Sequence, residues 1–379
     1  MTSEQRREAR YKRRKEKRML KRSSMAKYND FEWVFSYDHL YRSFKKSRRN
    51  VGWKASTQKY ISQAPLRVYK THEQLLSGKY KSSGFFEFDI MERGKPRHIR
   101  SVTIEERVVQ RCLCDYCLVP LLTRGFIYDN GASIAKKGYH FTRARIVRFL
   151  KHHISKYGSD GYVLIFDFSK FFDNVSHDVC KEVLHKHVTD PRIIKLVEHF
   201  IDMFGDIGLG LGSQISQIFA LASADKLDHM IKEKLRIKHY ARYMDDGCLI
   251  HHSKEYLQYC LDEISKMCDE LGIHLNKKKT QIIKLSKGFT WLKTIFYILP
   301  NGRIIRKITR LSVTKMRRKL VKFQNLIDRG KITIVDAYTS FQSWRAYAKK
   351  FNANFSVMAM EGLFKELFQI TPSEAAQLQ

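Results

Sequence analysis

From Phe31 onward, apolar and polar positions alternate in short, regular blocks that predict a mixture of helices and small strands. Residues 37–44 and 71–76 have helical spacing, 85–91 and 98–103 read as two strands around an Arg93-Gly94 turn, and 105–122 is apolar at helical positions. Thr142 can cap a helix running to about residue 156, and 162–168 is a buried strand ending near Asp167. Ser176 caps another helix, Asp190-Pro191 opens the next, and 213–235 predicts one long helix. Short strands at 239–243 and 247–252 flank Asp245-Asp246, and a helix over 253–271 stops at Gly272. Strands follow near 281–285 and 294–299, with a hairpin turn at Asn301-Gly302. Helices are predicted at 310–327, 334–350 and 355–368. The pattern describes an α+β chain with no internal repeat, and the charge change near Ile308 is the best candidate for a domain boundary.

Composition narrows the class. Hydrophobic residues make up 43% of 379, enough for a real core, and no apolar run is long enough to span a bilayer. The first 25 residues carry eleven Lys and Arg and resemble no signal sequence, so a soluble, cytoplasmic protein is expected. That segment reads as a disordered or weakly helical arm able to lie along phosphates. Seven cysteines, an odd number, argue against a disulfide framework or zinc ribbon; Cys114 and Cys117 stand in a single CxxC spacing, and with Cys112 they read as small core residues. A net charge of +33 calls for a polyanionic partner, most often nucleic acid.

Three acids carry the candidate chemistry. Asp167 ends an apolar strand, and Asp245 and Asp246 fall in Tyr243-Met244-Asp245-Asp246 between two short strands. An Asp-Asp pair alone is usually a polar turn. Adjacent carboxylates repel, however, and are best tolerated where a cation neutralises them. Hard divalent ions prefer such oxygens, and a third carboxylate from a neighbouring strand makes a set suited to two-metal phosphoryl transfer.

On these residues the chain resembles reverse transcriptases. Tyr243-Met244-Asp245-Asp246 is similar to the family's catalytic hairpin, and the run from Val163 to His177 to its upstream catalytic strand and turn. The resemblance implies a right-hand polymerase: a basic arm at 1–25, fingers and the start of the palm at 26–160, palm at 161–305 and a helical thumb at 306–379. It implies Asp167, Asp245, Asp246 and the Phe168 carbonyl as ligands of two Mg²⁺ ions, with Mn²⁺ as a substitute. Phe172 falls where the family excludes a ribose 2′-OH. Lys279, in the run Asn276 to Thr280, falls near the triphosphate, as do Lys95, Arg97 and Arg100. Tyr243, Met244, Trp291 in a primer-grip-like segment, and Lys315, Arg318 and Lys322 on a basic helix are implied to contact nucleic acid. Asp173 reads as a turn or cap. The implied partners are a template RNA, an RNA/DNA duplex, dNTPs and a small accessory protein oligomer.

The segment from Leu209 to Gln217 departs from the common pattern: Leu211 stands for a glutamine and Gln217 for a proline. This resembles the bacterial and phage reverse transcriptases of diversity-generating retroelements, in which Leu211, Gly212 and Gln217 would border the incoming nucleotide and copying is error-prone. Two alternatives stay open: a reverse transcriptase of an anti-phage defence system, and a non-catalytic, maturase-like RNA-binding protein.

Overall fold

The computed structural model describes residues 2–92 and 94–377. It is a mixed α/β fold of many helices around three small antiparallel sheets. Strands β1 (Phe86–Glu92) and β2 (Lys95–Ser101) form a two-stranded hairpin; the Arg93 half of its expected turn lies outside the described residues. The central sheet has four strands: β3 (Tyr162–Asp167), β4 (Tyr240–Tyr243), β5 (Asp246–His251) and β6 (Gln281–Lys284), in the order β4-β5-β3-β6. The third sheet runs β7 (Phe289–Trp291), β8 (Thr294–Ile298), β9 (Ile304–Ile308).

Alternation along β3 serves two cores. Leu164 and Phe166 face a large core that includes the helices His177–His187, Pro191–Asp202 and Gln214–Ser223. Val163 and Ile165 face a second core built from Ile146, Phe149 and Leu150 of the helix Tyr139–Tyr157 and from Phe289, Trp291 and Phe296. β3 is therefore buried on both faces, which explains why its sequence is a continuous apolar run. The helices Arg310–Asp328, Ile334–Ala348 and Asn354–Phe368 share separate clusters around Leu320, Phe341 and Phe364 and around Ala348 and Val357.

Several expected elements take a different form. The arm is one helix, Ser3–Ala26, opened by a Thr2/Gln5 capping box. Its described side chains are exposed from Ser3 to Glu16 and only Met25 packs against the main core, so the cap and helix-favouring Arg, Lys and Glu hold most of it rather than packing. The helix expected over 105–122 is Ile104–Leu113 followed by a wider turn, Cys114–Leu118, which leads into Pro120, a residue without a backbone N–H. The long helix expected over 213–235 breaks at Ala224 into Gln214–Ser223 and Asp225–His229. At the break the Ser223 hydroxyl bonds back to the Ala220 carbonyl at 3.1 Å, competing with the helical ladder.

All seven cysteines are free and buried, as core residues should be. Burial pushes the thiols of Cys180 and Cys268 up to about 12. Among the described residues, no helix is long and apolar enough to cross a membrane.

Candidate active site

The antiparallel register of β3 and β5 sets Asp167 opposite Asp246. The β4–β5 turn passes through Met244, whose φ of 56° lies in the left-handed region, and Asp245. The Phe168 amide donates to the Asp245 carbonyl at 3.2 Å, which ties the end of β3 to that turn. Three carboxylates thus meet at one edge of the central sheet. Next to them, Gly247 leaves room for the Phe166 ring, which a Cβ at that position would overlap.

Their electrostatics follow from burial and mutual repulsion. Burial, then the charge of Asp245, then that of Asp167, push Asp246 up to about 7. Asp245 is also raised, first by burial and then by Asp167, with Lys279 and Arg97 opposing. Lys279 places Nζ 2.8 Å from each oxygen of Asp167. Burial lowers the Lys279 ammonium, but its bond to Asp167 and the charges of Asp246 and Asp245 outweigh this and raise it. Asn276 completes the contact: its amide N–H donates to the Asp167 carbonyl at 2.8 Å and its side chain to Oδ1 at 3.3 Å. Among the described residues, no three His, Cys, Asp or Glu side chains form a group that could hold a metal ion.

A buried ion pair supports the turn from beneath. Arg242 is fully buried and donates from Nε and Nη2 to the two oxygens of Asp228, each at 2.8 Å. Its Nη1 donates to the Met244 carbonyl at 2.9 Å, and Nη2 also reaches the Leu221 carbonyl at 3.0 Å. The Tyr240 hydroxyl donates to Asp228 as well, at 2.7 Å. Removing one partner of such a pair costs about 3–5 kcal/mol, because the other charge stays buried. The sequence reading missed this pair, although an arginine in the otherwise buried strand Tyr240–Tyr243 demands an acid and so carried the signal.

The remaining candidates divide into those near the acids and those turned elsewhere. Arg97 acts electrostatically on Asp245. Arg100 is committed elsewhere: Nε pairs with Glu87 at 2.9 Å and Nη1 donates to the Phe204 carbonyl at 2.7 Å. The side chain of Lys95 lies outside the described residues. Leu211 bridges to Ile99, and its carbonyl accepts from the Arg100 amide at 3.1 Å. A Cβ on Gly212, whose φ is 116°, would lie 3.0 Å from the Arg100 carbonyl oxygen, so the segment runs tightly along β2. The backbone carbonyl of the half-buried Phe172 accepts from the Leu209 amide at 2.7 Å, which places its backbone beside the same segment. Gln217 is exposed and accepts from Ser133 at 3.4 Å.

Tyr243 stacks on Tyr139 with ring centroids 4.1 Å apart, and burial, then Tyr139, push its hydroxyl up to about 12. Met244 packs against the main core. Trp291 is buried, with its indole N–H unpartnered, and faces the interior rather than the surface. Lys315, Arg318 and Lys322 are exposed along one side of the helix Arg310–Asp328. A cavity of about 570 Å³ lies between that helix and Tyr139, Arg143 and Lys293.

A strand-end aspartate is thus set against an Asp-Asp hairpin on a small antiparallel sheet wrapped in helices. The family model described as reverse transcriptase (RNA-dependent DNA polymerase) matches residues 83–296, more than half of the chain, and the chain belongs to that family. No curated protein matches it. Among solved structures it is similar to apo telomerase from Candida tropicalis truncated from its C-terminal domain, at 17% identity and a TM-score of 0.46 over 59% of this chain and 54% of that one. Telomerase from Candida albicans in complex with a TWJ fragment of telomeric RNA matches at 11% identity and a TM-score of 0.49, covering 77% of this chain and 61% of that one. Apo telomerase from Candida tropicalis matches at 14% and 0.47, covering 81% and 64%. The chain thus spans less than two thirds of the length of these structural relatives.

Proposed function

We propose that this protein is an RNA-directed DNA polymerase that extends a primer on a template RNA. The observation that carries the reading is the meeting of Asp167, at the end of β3, with Asp245 and Asp246 of the β4–β5 hairpin, Asp246 being pushed up to about 7 by burial and by its acidic neighbours. Such a cluster is relieved by cations, and its hard oxygen donors suit Mg²⁺ and also Mn²⁺. Asp167, Asp245, Asp246 and the Phe168 carbonyl would hold the ions. When bound, they would supply charge neutralisation at the attacking and leaving oxygens.

In this reading residues 26–160 form the fingers and the start of the palm, 161–305 the palm and 306–379 the thumb. Lys279, paired with Asp167 at 2.8 Å, turns to the triphosphate when substrate arrives, with Arg97 beside it. Both cations stabilise charge developing on the leaving group. Phe172 walls the sugar on its 2′ side. The exposed Lys315, Arg318 and Lys322 track the duplex backbone through phosphate contacts. Arg100, paired with Glu87, serves the fold of the β2 segment.

Replacing Asp245 with Asn should abolish primer extension with dNTPs and Mg²⁺ while leaving RNA binding within about a factor of three, since binding rests mainly on phosphate contacts elsewhere. Primer extension on a defined RNA together with a binding titration measures both. Extension retained by the variant refutes the metal-site assignment.

We further propose that copying is error-prone, as in diversity-generating retroelements, because apolar Leu211 stands in the segment bordering the nucleotide where a hydrogen-bonding glutamine is usual.

A further inference from the structure

The β7–β8 hairpin turns through Leu292 and Lys293, both in left-handed backbone with φ of 46° and 60°. Trp291 and Thr294 pair directly across it, so the turn is a tight two-residue one. Turns of this kind favour Asn-Gly, because a bulky side chain is strained in that region. Leu-Lys is a poor sequence for it, and groups outside the hairpin hold it in place.

Two do so, from different parts of the fold. Arg143, on the helix Tyr139–Tyr157, donates from Nε and Nη2 to the Leu292 carbonyl at 3.2 and 2.5 Å. Tyr347, on the helix Ile334–Ala348, donates its hydroxyl to the Lys293 carbonyl at 3.2 Å. The buried Arg143 guanidinium also lies over the rings of Tyr139, Tyr347 and Phe351, at 5.4, 5.6 and 5.5 Å. Tyr139 in turn stacks on Tyr243, the residue that leads into the Asp245-Asp246 turn. The charge of Lys293 is felt at Asp246. One guanidinium therefore joins the strained turn, the C-terminal helices and the carboxylate hairpin. It also lines the cavity of about 570 Å³ with Lys293 and Lys315, so a polyanionic strand entering there passes along it.

We propose that Arg143 is a positioning residue which, with Tyr347, clamps the Leu292–Lys293 turn in register with the Tyr243–Asp246 turn and so aligns the end of the growing strand with the carboxylates. The inference rests on the polymerase reading above. A planar fork that meets one carbonyl with two N–H groups while stacking on aromatic faces is something lysine cannot reproduce.

The test uses the full-length chain with Arg143→Gln, Arg143→Lys and Tyr347→Phe. Single-turnover incorporation on a preformed primer–template, per active site and at saturating dNTP, should fall about 10- to 100-fold in Arg143→Gln, the scale expected when reacting groups shift by about 1 Å. The KM for dNTP should change by less than about twofold, because the groups proposed to hold dNTP remain in place. Arg143→Lys should be nearly as slow. Tyr347→Phe should give a smaller loss, and the double variant less than the product of the two, because both hold one turn. Amide exchange over residues 292–294 should accelerate in each variant.

A lysine variant with full activity, or exchange at the turn equal to the wild type, overturns the clamp. So does a loss of rate that merely follows the melting temperature. If Arg143 variants do not fold, Tyr347→Phe, which removes a single hydroxyl, decides by the same two measurements. If the wild type incorporates no nucleotide, the polymerase reading fails, and exchange at the turn still decides the clamp.

Discussion

In the proposed polymerase, fidelity turns on the chemistry of one side chain, Leu211. A polar group against a nascent base pair discriminates strongly, because a wrong substrate leaves it unpaired, whereas an apolar wall penalises misfit by only about 1–3 kcal/mol. Leu211→Gln should therefore lower misincorporation, most visibly opposite template adenine. Sequencing cDNA made on one defined RNA by both proteins measures this, and an unchanged error spectrum removes the support for error-prone copying. A second residue-scale effect sits behind the central sheet. The His239 imidazole is lowered to about 4, first by burial and then by His152, whose Nδ1 lies 2.9 Å from its Nε2. Below the ordinary value of 6.5 the unfolded chain takes up a proton that the folded one refuses. Stability from this site should thus fall as the pH drops from about 6.5 and level off below about 4. Melting temperatures across that range should show the slope, and His239→Gln should flatten it. Equal slopes would assign the acid sensitivity elsewhere.

Among elements, those defined by local pattern were legible in the sequence. The run from Tyr162 to Phe166 had to be a doubly buried strand, and Ser253 and Gly272 bracketed the helix Lys254–Glu270. The break at Ala224 was not legible, because periodicity runs through it and only the Ser223 back-bond marks it. The N-terminal helix was half legible: its charge was plain, its Thr2/Gln5 cap was not read. At 24 residues it is about 36 Å long and exposes a dense set of cations. Its deletion should weaken RNA binding and reduce the slope of log affinity against log salt, because fewer counterions are then released. A titration between 50 and 200 mM salt, about the range over which such slopes are usually resolved, checks this. Parallel lines for the two proteins would make the helix a bystander.

For the molecule as a whole, the three acids were legible because each is flagged by its own short stretch of chain. The groups that hold them were not, because the partners lie far apart in sequence: Arg143 and Leu292 are 149 positions apart, and Asn276 and Asp167 are 109 apart. No local periodicity reports such pairings. Arg242 with Asp228 is the intermediate case, only 14 positions apart and betrayed by a charge in a buried strand.

The free cysteines supply a built-in clock for this architecture. All seven are buried, and Cys268 is the last of them, so the helices from Arg310 onward contain no thiol. A sulfhydryl reagent reacts with the thiolate, and here only after the protein opens. Its consumption should time the opening of the first two cores and remain blind to the C-terminal helices, whose clusters are their own. In mild urea, amide exchange over residues 310–368 should run ahead of thiol labelling. Coincident rates would mean that the chain unfolds as one cooperative unit.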